Sequence, residues 1–319
     1  MKLLEGVDLS KLCDYSFVEE SAQWGNIFSS FMKPKEVSLS NFEFIRKVFD
    51  IKKERSYMTL FIDNIRLYKR KLSGLDSTDE KTFTDLMERG TLLDLCSKLP
   101  EMKFIIFTNL EDTPIDENIF EVIPDNVLAI SAINAVVFGG KVIPAPYGLQ
   151  RQMYPGDNRK SIIENFLEQD DIEPENLLYI NHSTYTNPKE RSGINEIFED
   201  KCWATVNKER IGYDQFLNQI RNHKFMICPI GNALDCHRNW EVLYLRRVPV
   251  MKKHPYLEEL YKNFPVLFVD RYEDVTEELL VQNNHLCDLV KTLDFTQLSL
   301  PYFYDNIVKK YSKVGELIG

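Results

Sequence analysis

The chain has 319 residues, 44% of them hydrophobic and 28% charged, which is long enough for two domains with buried cores and ordinary for a globular protein. Its formal net charge of −10 argues against a general nucleic-acid binder, because phosphate backbones select basic surfaces; one local basic pocket for a small anion is still compatible with it. The opening MKLLEGVDLSKLCDYSFVEES breaks any apolar core with Glu5, Asp8, Asp14, Glu19 and Glu20, and no stretch approaches the roughly 20 apolar residues of a membrane span. A cytoplasmic protein, lying at most against a membrane surface, is therefore expected. Cys13, Cys96, Cys202, Cys228, Cys236 and Cys287 are scattered with no CxxC pair, so reduced thiols are expected. Cys228, Cys236 and His237 lack the paired spacing of a structural zinc site, and no metal is expected.

Along the chain, short apolar runs alternate with helix-like segments. MTLFID (Met58–Asp63), KFIIFTN (Lys103–Asn109), NVLAISAIN (Asn126–Asn134) and KVIPAPYG (Lys141–Gly148) lie in the first half. NLLYINHS (Asn176–Ser183), CWATV (Cys202–Val206), KFMICP (Lys224–Pro229), VPVM (Val248–Met251) and PVLFVD (Pro265–Asp270) lie in the second. They are β-rich and apolar on both faces, as central strands of a parallel sheet covered by helices should be. Ser77–Pro100 and Tyr213–His223 carry helical spacing of apolar residues. The alternation predicts an α/β protein. Acidic EQDDIEPEN (Glu168–Asn176) reads as a linker, giving domains at 1–170 and 171–295, with the aromatic tail 296–319 packing back as a helix on the first.

Two strand-to-helix junctions carry more polar groups than a turn requires. In CPIGNALDCHRNWEVLYLRRVPVM (Cys228–Met251), Gly231 permits a tight turn and Asp235 reads as the N-cap of a helix through Trp240. A helix start offers unpaired N–H groups and a positive dipole end, which suit a phosphate. Arg238 in the first turn adds a fork of donors for phosphate oxygens, and Glu241, one turn on, is placed to accept from ribose hydroxyls. The competing interpretation makes Arg238 and Glu241 an i,i+3 surface pair worth only ~0.2–0.5 kcal/mol. Trp240, Leu243 and Tyr244 read as core. In YINHSTYTNPKERSGINEIF (Tyr179–Phe198), Asn187 fits an N-cap, Pro188 the first helical position and Glu190 the third, with Arg191 in the first turn. Both junctions are expected at the C-terminal edge of one sheet, where α/β proteins bind ligands.

The run from Leu177 to Asp270 resembles the exostosin-like glycosyltransferases, in particular short cytosolic members from bacteria and large DNA viruses. The likeness rests on N-x-x-x-x-T-N-P-x-x-R (Asn181–Arg191) and on the G-N-x-x-D-x-H-R-x-W-E run from Gly231 to Glu241, followed by Pro249-Val250. Ile123–Gln150 is similar to the family's segment before its interdomain crossover. The resemblance implies a GT-B fold, with two Rossmann-like domains facing across a cleft and a nucleotide sugar on the second. It makes Gly231, Asn232, Asp235, His237, Arg238 and Glu241 donor-site residues, puts Asn187 and Arg191 beside the phosphates, and puts Arg210 and Tyr213 near the base. Ile230 stands where the family has arginine and Ala233 where it has a second glycine, so one charge-assisted contact, worth ~1.5–3 kcal/mol, is missing. Arg246 and Arg247 stand where the family has small residues and read as exposed helix-end charges.

What this implies is metal-independent, inverting transfer of a sugar from a nucleotide donor to a hydroxyl of a glycan acceptor, in keeping with the absence of Asp-x-Asp. The general base would come from the first domain. Glu111 and Asp112, at the end of the strand in FTNLEDTP, are the first candidates, then Asp63 and Asp14. A non-catalytic nucleotide- or glycan-binding module and a nucleotide-sugar epimerase are the alternatives.

Overall fold

Each of the apolar runs folds as a strand. The computed structural model describes residues 6–20, 32–35, 37–64, 66–68, 90–109, 112–149 and 158–316. The chain forms two compact units, Gly6–Ala145 with Leu300–Gly319 and Pro146–Ser299.

In the first unit β1 (Tyr15–Ser16) precedes a small antiparallel pair, β2 (Val18–Glu20) and β3 (Met32–Pro34). Then come β4 (Tyr57–Ile62), β5 (Lys103–Thr108), β6 (Val127–Ala132) and β7 (Val142–Pro144). They build a parallel sheet of order β1-β4-β5-β6-β7. Met58, Leu60, Phe61, Phe104, Ile105, Ile106, Ala129 and Ile130 are buried on both faces, and burying a large apolar side chain stabilises by roughly 1.5–3 kcal/mol. Helix Phe42–Lys52, capped by Asn41 onto the Phe44 N–H at 3.0 Å, contributes Phe44, Val48 and Ile51 to the core. Helix Leu92–Ser97 starts in a Thr91–Asp94 capping box; the earlier part of the helix expected over 77–100 lies outside the described residues up to Gly90. The C-terminal helix Leu300–Glu316 belongs to this unit and lies against β4, β5 and β6. Its Tyr304 ring stacks on Phe107 at 5.1 Å, and the hydroxyl reaches Thr59 Oγ1 at 3.0 Å.

The second unit holds β8 (Asn176–Ile180), β9 (Ala204–Val206), β10 (His223–Ile227), β11 (Val248–Lys252) and β12 (Leu267–Val269). All are parallel, in the order β12-β11-β10-β8-β9. The chain adds β9 on one side of β8 and then β10 on the other. The connections leaving β8 and β10 therefore diverge, and such a reversal opens a crevice beyond the C-terminal strand ends. The molecule is thus α/β with two Rossmann-like parallel sheets.

The division between units falls between Ala145 and Pro146, ahead of the acidic segment read as a linker. That segment is fastened inside the second unit. Arg247, 2% exposed, donates to Asp171 at 3.0 Å and to the Ile172 carbonyl at 2.8 Å, and Arg221 holds Gln169 and the Asp170 carbonyl, each at 2.5 Å. Arg246 and Arg247 are accordingly not exposed helix-end charges. Arg246 takes a left-handed φ of 56° just after helix His237–Tyr244. The Arg246 and Arg247 N–H groups return to the Leu243 and Val242 carbonyls, both at 3.0 Å, and the Arg246 guanidinium lies 4.2 Å from the Phe295 ring centroid.

Candidate functional site

The connections after β8 and β10 bring the two polar motifs together at the sheet reversal. Helix His237–Tyr244 follows β10, and its N-cap is Cys236 rather than Asp235. Asp235 lies one residue too early to cap and is 1% exposed. Its Oδ2 accepts from the Tyr147 N–H at 2.8 Å and Trp240 Nε1 at 2.7 Å. Its Oδ1 accepts from the Cys236 N–H and Asn239 Nδ2, both at 2.9 Å, and from the Tyr261 hydroxyl at 2.5 Å. Burial pushes the Asp235 carboxyl upward while these donors pull it down. A carboxylate receiving five donors is the centre of the loop's internal framework.

The Asn187 motif is likewise turned inward. Asn187 caps a single helical turn, Pro188–Arg191, with Oδ1 on the Glu190 N–H at 3.3 Å, and its Nδ2 donates to the Gly231 carbonyl at 2.8 Å. Glu190 reaches Lys252 at 3.2 Å. Arg191 is buried and donates to the carbonyls of Ile230 at 2.9 Å, Ser183 at 3.0 Å and Pro229 at 3.2 Å. Burial first, and the charge of Arg238 second, lower its pKa. A Cβ at Gly231 would stand 3.0 Å from both Arg191 Nη2 and Cys236 Sγ, so glycine lets the β10 connection close on the arginine. The two junctions do adjoin, yet the β8 one is a lone helical turn whose arginine is spent on carbonyls.

Arg238 differs. It is half-buried, with its guanidinium 5.7 Å from the Phe216 ring centroid. Its Nε is buried with no acceptor, and among the described residues its side chain has no hydrogen bond and no carboxylate within ion-pair distance. A buried donor left unmatched costs about 1–3 kcal/mol. Glu241 is 5% exposed and accepts from the Tyr213 hydroxyl at 2.9 Å. The simple i,i+3 surface pair is therefore not formed. Burial raises the Glu241 pKa, opposed by the Tyr213 hydrogen bond and the Arg238 charge. His237 is half-buried, with Nδ1 on the Gly148 carbonyl at 2.6 Å and its ring edge-on to Tyr147. Asn232 and Arg210 are exposed, and Tyr213 is half-buried at the start of helix Tyr213–Arg221. Trp240, Leu243 and Tyr244 are core.

One residue escapes sequence reading. His182, in the β8 connection, is 8% exposed; its Nε2 faces the Arg191 carbonyl at 3.3 Å and its Nδ1 is buried without a partner. Burial, then the nearby Arg238 charge, lower its pKa to about 4, so the ring is neutral. No spacing marks it: a lone histidine in a loop has no local signature.

In the first unit Asp14 accepts from the Thr59 N–H at 2.7 Å and Thr59 Oγ1 at 2.8 Å and pairs with Arg55. Asp63 is held by Arg66, through its N–H at 3.0 Å and Nε at 2.6 Å. Asp112 is exposed on the connection after β5, and Glu111 lies outside the described residues. Among the described residues no group of three His, Cys, Asp or Glu side chains could hold a metal ion, and no helix is long and apolar enough to cross a membrane.

No family model matches the chain, and no curated protein matches it significantly. Among solved structures, the chain is similar to one described as an alpha1,3-fucosyltransferase, at 13% identity over 80% of this chain and 91% of that one, with a TM-score of 0.35. A likeness that weak carries no argument about this chain.

Proposed function

We propose that the chain is an exostosin-like, GT-B-type glycosyltransferase that binds a nucleotide sugar in its second unit and transfers the sugar to a hydroxyl of a glycan acceptor. The observation that carries this is Arg238: a cation with no carboxylate within ion-pair distance among the described residues, buried at Nε, in the first turn of the helix after β10, where the strand order reverses. Such a guanidinium suits an incoming diphosphate. The resemblance of Leu177–Asp270 to exostosin-like enzymes supports the same assignment. In the reaction the acceptor oxygen bonds to the anomeric carbon with inversion, the bond from that carbon to the diphosphate breaks, and a base takes the acceptor proton. Arg238 and the helix start would offset the charge growing on the leaving diphosphate without a metal. Glu241, oriented by Tyr213, would accept from the ribose; Asn232, Arg210 and Tyr213 would border the nucleoside. His237, Asp235, Asn187, Arg191 and Gly231 would hold the loops that shape the site. Asp112 and Glu111 are the carboxylates to substitute in search of the base.

The binding step is tested by thermal shift with UDP, GDP, dTDP and CMP. At least one nucleotide should raise Tm, by the equivalent of about 2.7 kcal/mol at 100 times its Kd, and Arg238→Ala should remove the shift. No shift with any nucleotide, or an equal shift in the variant, rejects the proposal. A non-catalytic binding module is the second reading, favoured by the engagement of Asp14 and Asp63 with arginines. It predicts nucleotide binding with no sugar transfer to any acceptor.

A further inference from the structure

We propose that helix Phe42–Lys52 of the first unit docks on an anionic lipid bilayer, with the Phe42 and Phe49 rings sunk among the headgroups and Arg46, Lys52 and Lys53 on the lipid phosphates. The proposal is independent of the nucleotide reading of the second unit.

The helix carries apolar side chains on two opposed sides. At 3.6 residues per turn Phe44, Val48 and Ile51 form one stripe, and these are the residues that enter the core. Phe42 and Phe49, two turns apart, form a second stripe on the far side, where they are 86% and 64% exposed. A single exposed apolar side chain is ordinary, but two in register opposite the core mark an interaction surface.

Charge on the helix is sorted by side. At about 100° per residue, Lys52, Ile45, Phe49, Phe42, Lys53 and Arg46 follow one another around a sector of about 120° that contains no carboxylate. Lys53 belongs to it because the C-cap keeps helical backbone angles, φ −73° and ψ −23°. Glu43 and Asp50 lie together on the adjoining flank. Arg46 is exposed, and among the described residues it has no carboxylate within ion-pair distance. Lys52 and Lys53 reach Glu101 at 3.9 Å and Asp50 at 3.1 Å in exposed pairs, which hold side chains only weakly.

This sorting selects the occupant. The chain as a whole carries −10, so an anionic surface repels it except where a cationic sector leads. A second copy laid on this face would set the same three cations against their like, with the carboxylates turned aside. A folded partner would need separate pockets for two rings that project from a convex helix about 10 Å apart along its axis. A bilayer interface takes each ring without a matching pocket, and its anionic headgroups meet cations that extend on flexible stems.

The test is co-sedimentation of the full chain with sucrose-loaded vesicles, of phosphatidylcholine alone or of equal parts phosphatidylcholine and phosphatidylglycerol. Wild type should pellet with the mixed vesicles and about tenfold less with phosphatidylcholine alone, and added salt should release it. Phe42→Ser with Phe49→Ser should lower the partition coefficient about tenfold. Arg46→Gln should lower it about fivefold, the weight of one cation near an anionic surface, whereas Glu43→Gln on the acidic flank should not lower it. Wild type absent from the mixed-vesicle pellet, equal binding to both vesicles, or wild-type partition in the double phenylalanine variant overturns the proposal. So does a dimer in analytical ultracentrifugation that the double variant loses, which would give the face to a second copy. If the double variant melts below wild type, Phe42→Trp decides. Its added fluorescence should shift to the blue with mixed vesicles, and an unmoved spectrum overturns the proposal.

Discussion

Asp235→Asn separates a framework carboxylate from a ligand carboxylate. The amide replaces one oxygen with a donor, so whichever way it turns, donors on that side lose their acceptor. Placed at the Oδ2 position it leaves the Tyr147 N–H and Trp240 Nε1 facing an N–H; placed at Oδ1 it leaves Cys236, Asn239 and Tyr261 to be rehoused. The first orientation is the cheaper, with two buried donors unmatched at about 1–3 kcal/mol each. The expected loss is therefore about 4 kcal/mol, a large part of the roughly 5–15 kcal/mol that holds a typical domain. Urea unfolding followed by tryptophan fluorescence reads it directly, since Trp240 donates to this carboxylate. A variant within about 1 kcal/mol of wild type refutes the framework role and returns Asp235 to the ligand-binding set.

Gly231→Ala should cost about 1–3 kcal/mol in the same assay, because its Cβ would press on Arg191 Nη2 and Cys236 Sγ at 3.0 Å within a bonded junction; unchanged stability would show that the junction yields. Tyr213→Phe removes the hydrogen bond that lowers the Glu241 pKa, so the pH midpoint of nucleoside-diphosphate affinity should rise relative to wild type; coincident profiles count against Glu241 as a ribose acceptor. For stability against pH, His182 titrates at about 4 in the folded chain, against the ordinary histidine value of 6.5 when unfolded. The unfolded chain binds the extra proton between those values, so the stability from a neutral His182 is full above pH 6.5 and is lost as pH falls toward 4. At ~1.36 kcal/mol per pH unit the loss reaches about 3 kcal/mol. Wild type should therefore lose stability relative to His182→Asn over that window. Asp235 and Glu241, whose raised pKa values act with the opposite sign, are common to both proteins and cancel. Parallel curves would contradict the buried neutral ring.

By itself the sequence determined where the strands lie, that they are covered on both faces, and that polar motifs interrupt the chain after β8 and β10. These are short-range properties: the apolar runs and the Asn187–Pro188 cap are written within a few residues, and a helix interior such as Trp240 to Tyr244 carries its own periodicity. Only the tertiary structure decided which polar groups are spent. Arg191 and Arg238 look alike in sequence, each in a first helical turn, but Arg191 meets the carbonyls of Pro229 and Ile230, far along the chain, and Arg238 meets no anion among the described residues. Asp235 takes donors from Tyr147 and Tyr261, and Arg247 takes Asp171, so a presumed cap, a presumed surface charge and a presumed linker all turn out to be framework. The physical reason is that a buried polar group must find its partner wherever the fold brings one, and that partner is set by strand order, which no local pattern records.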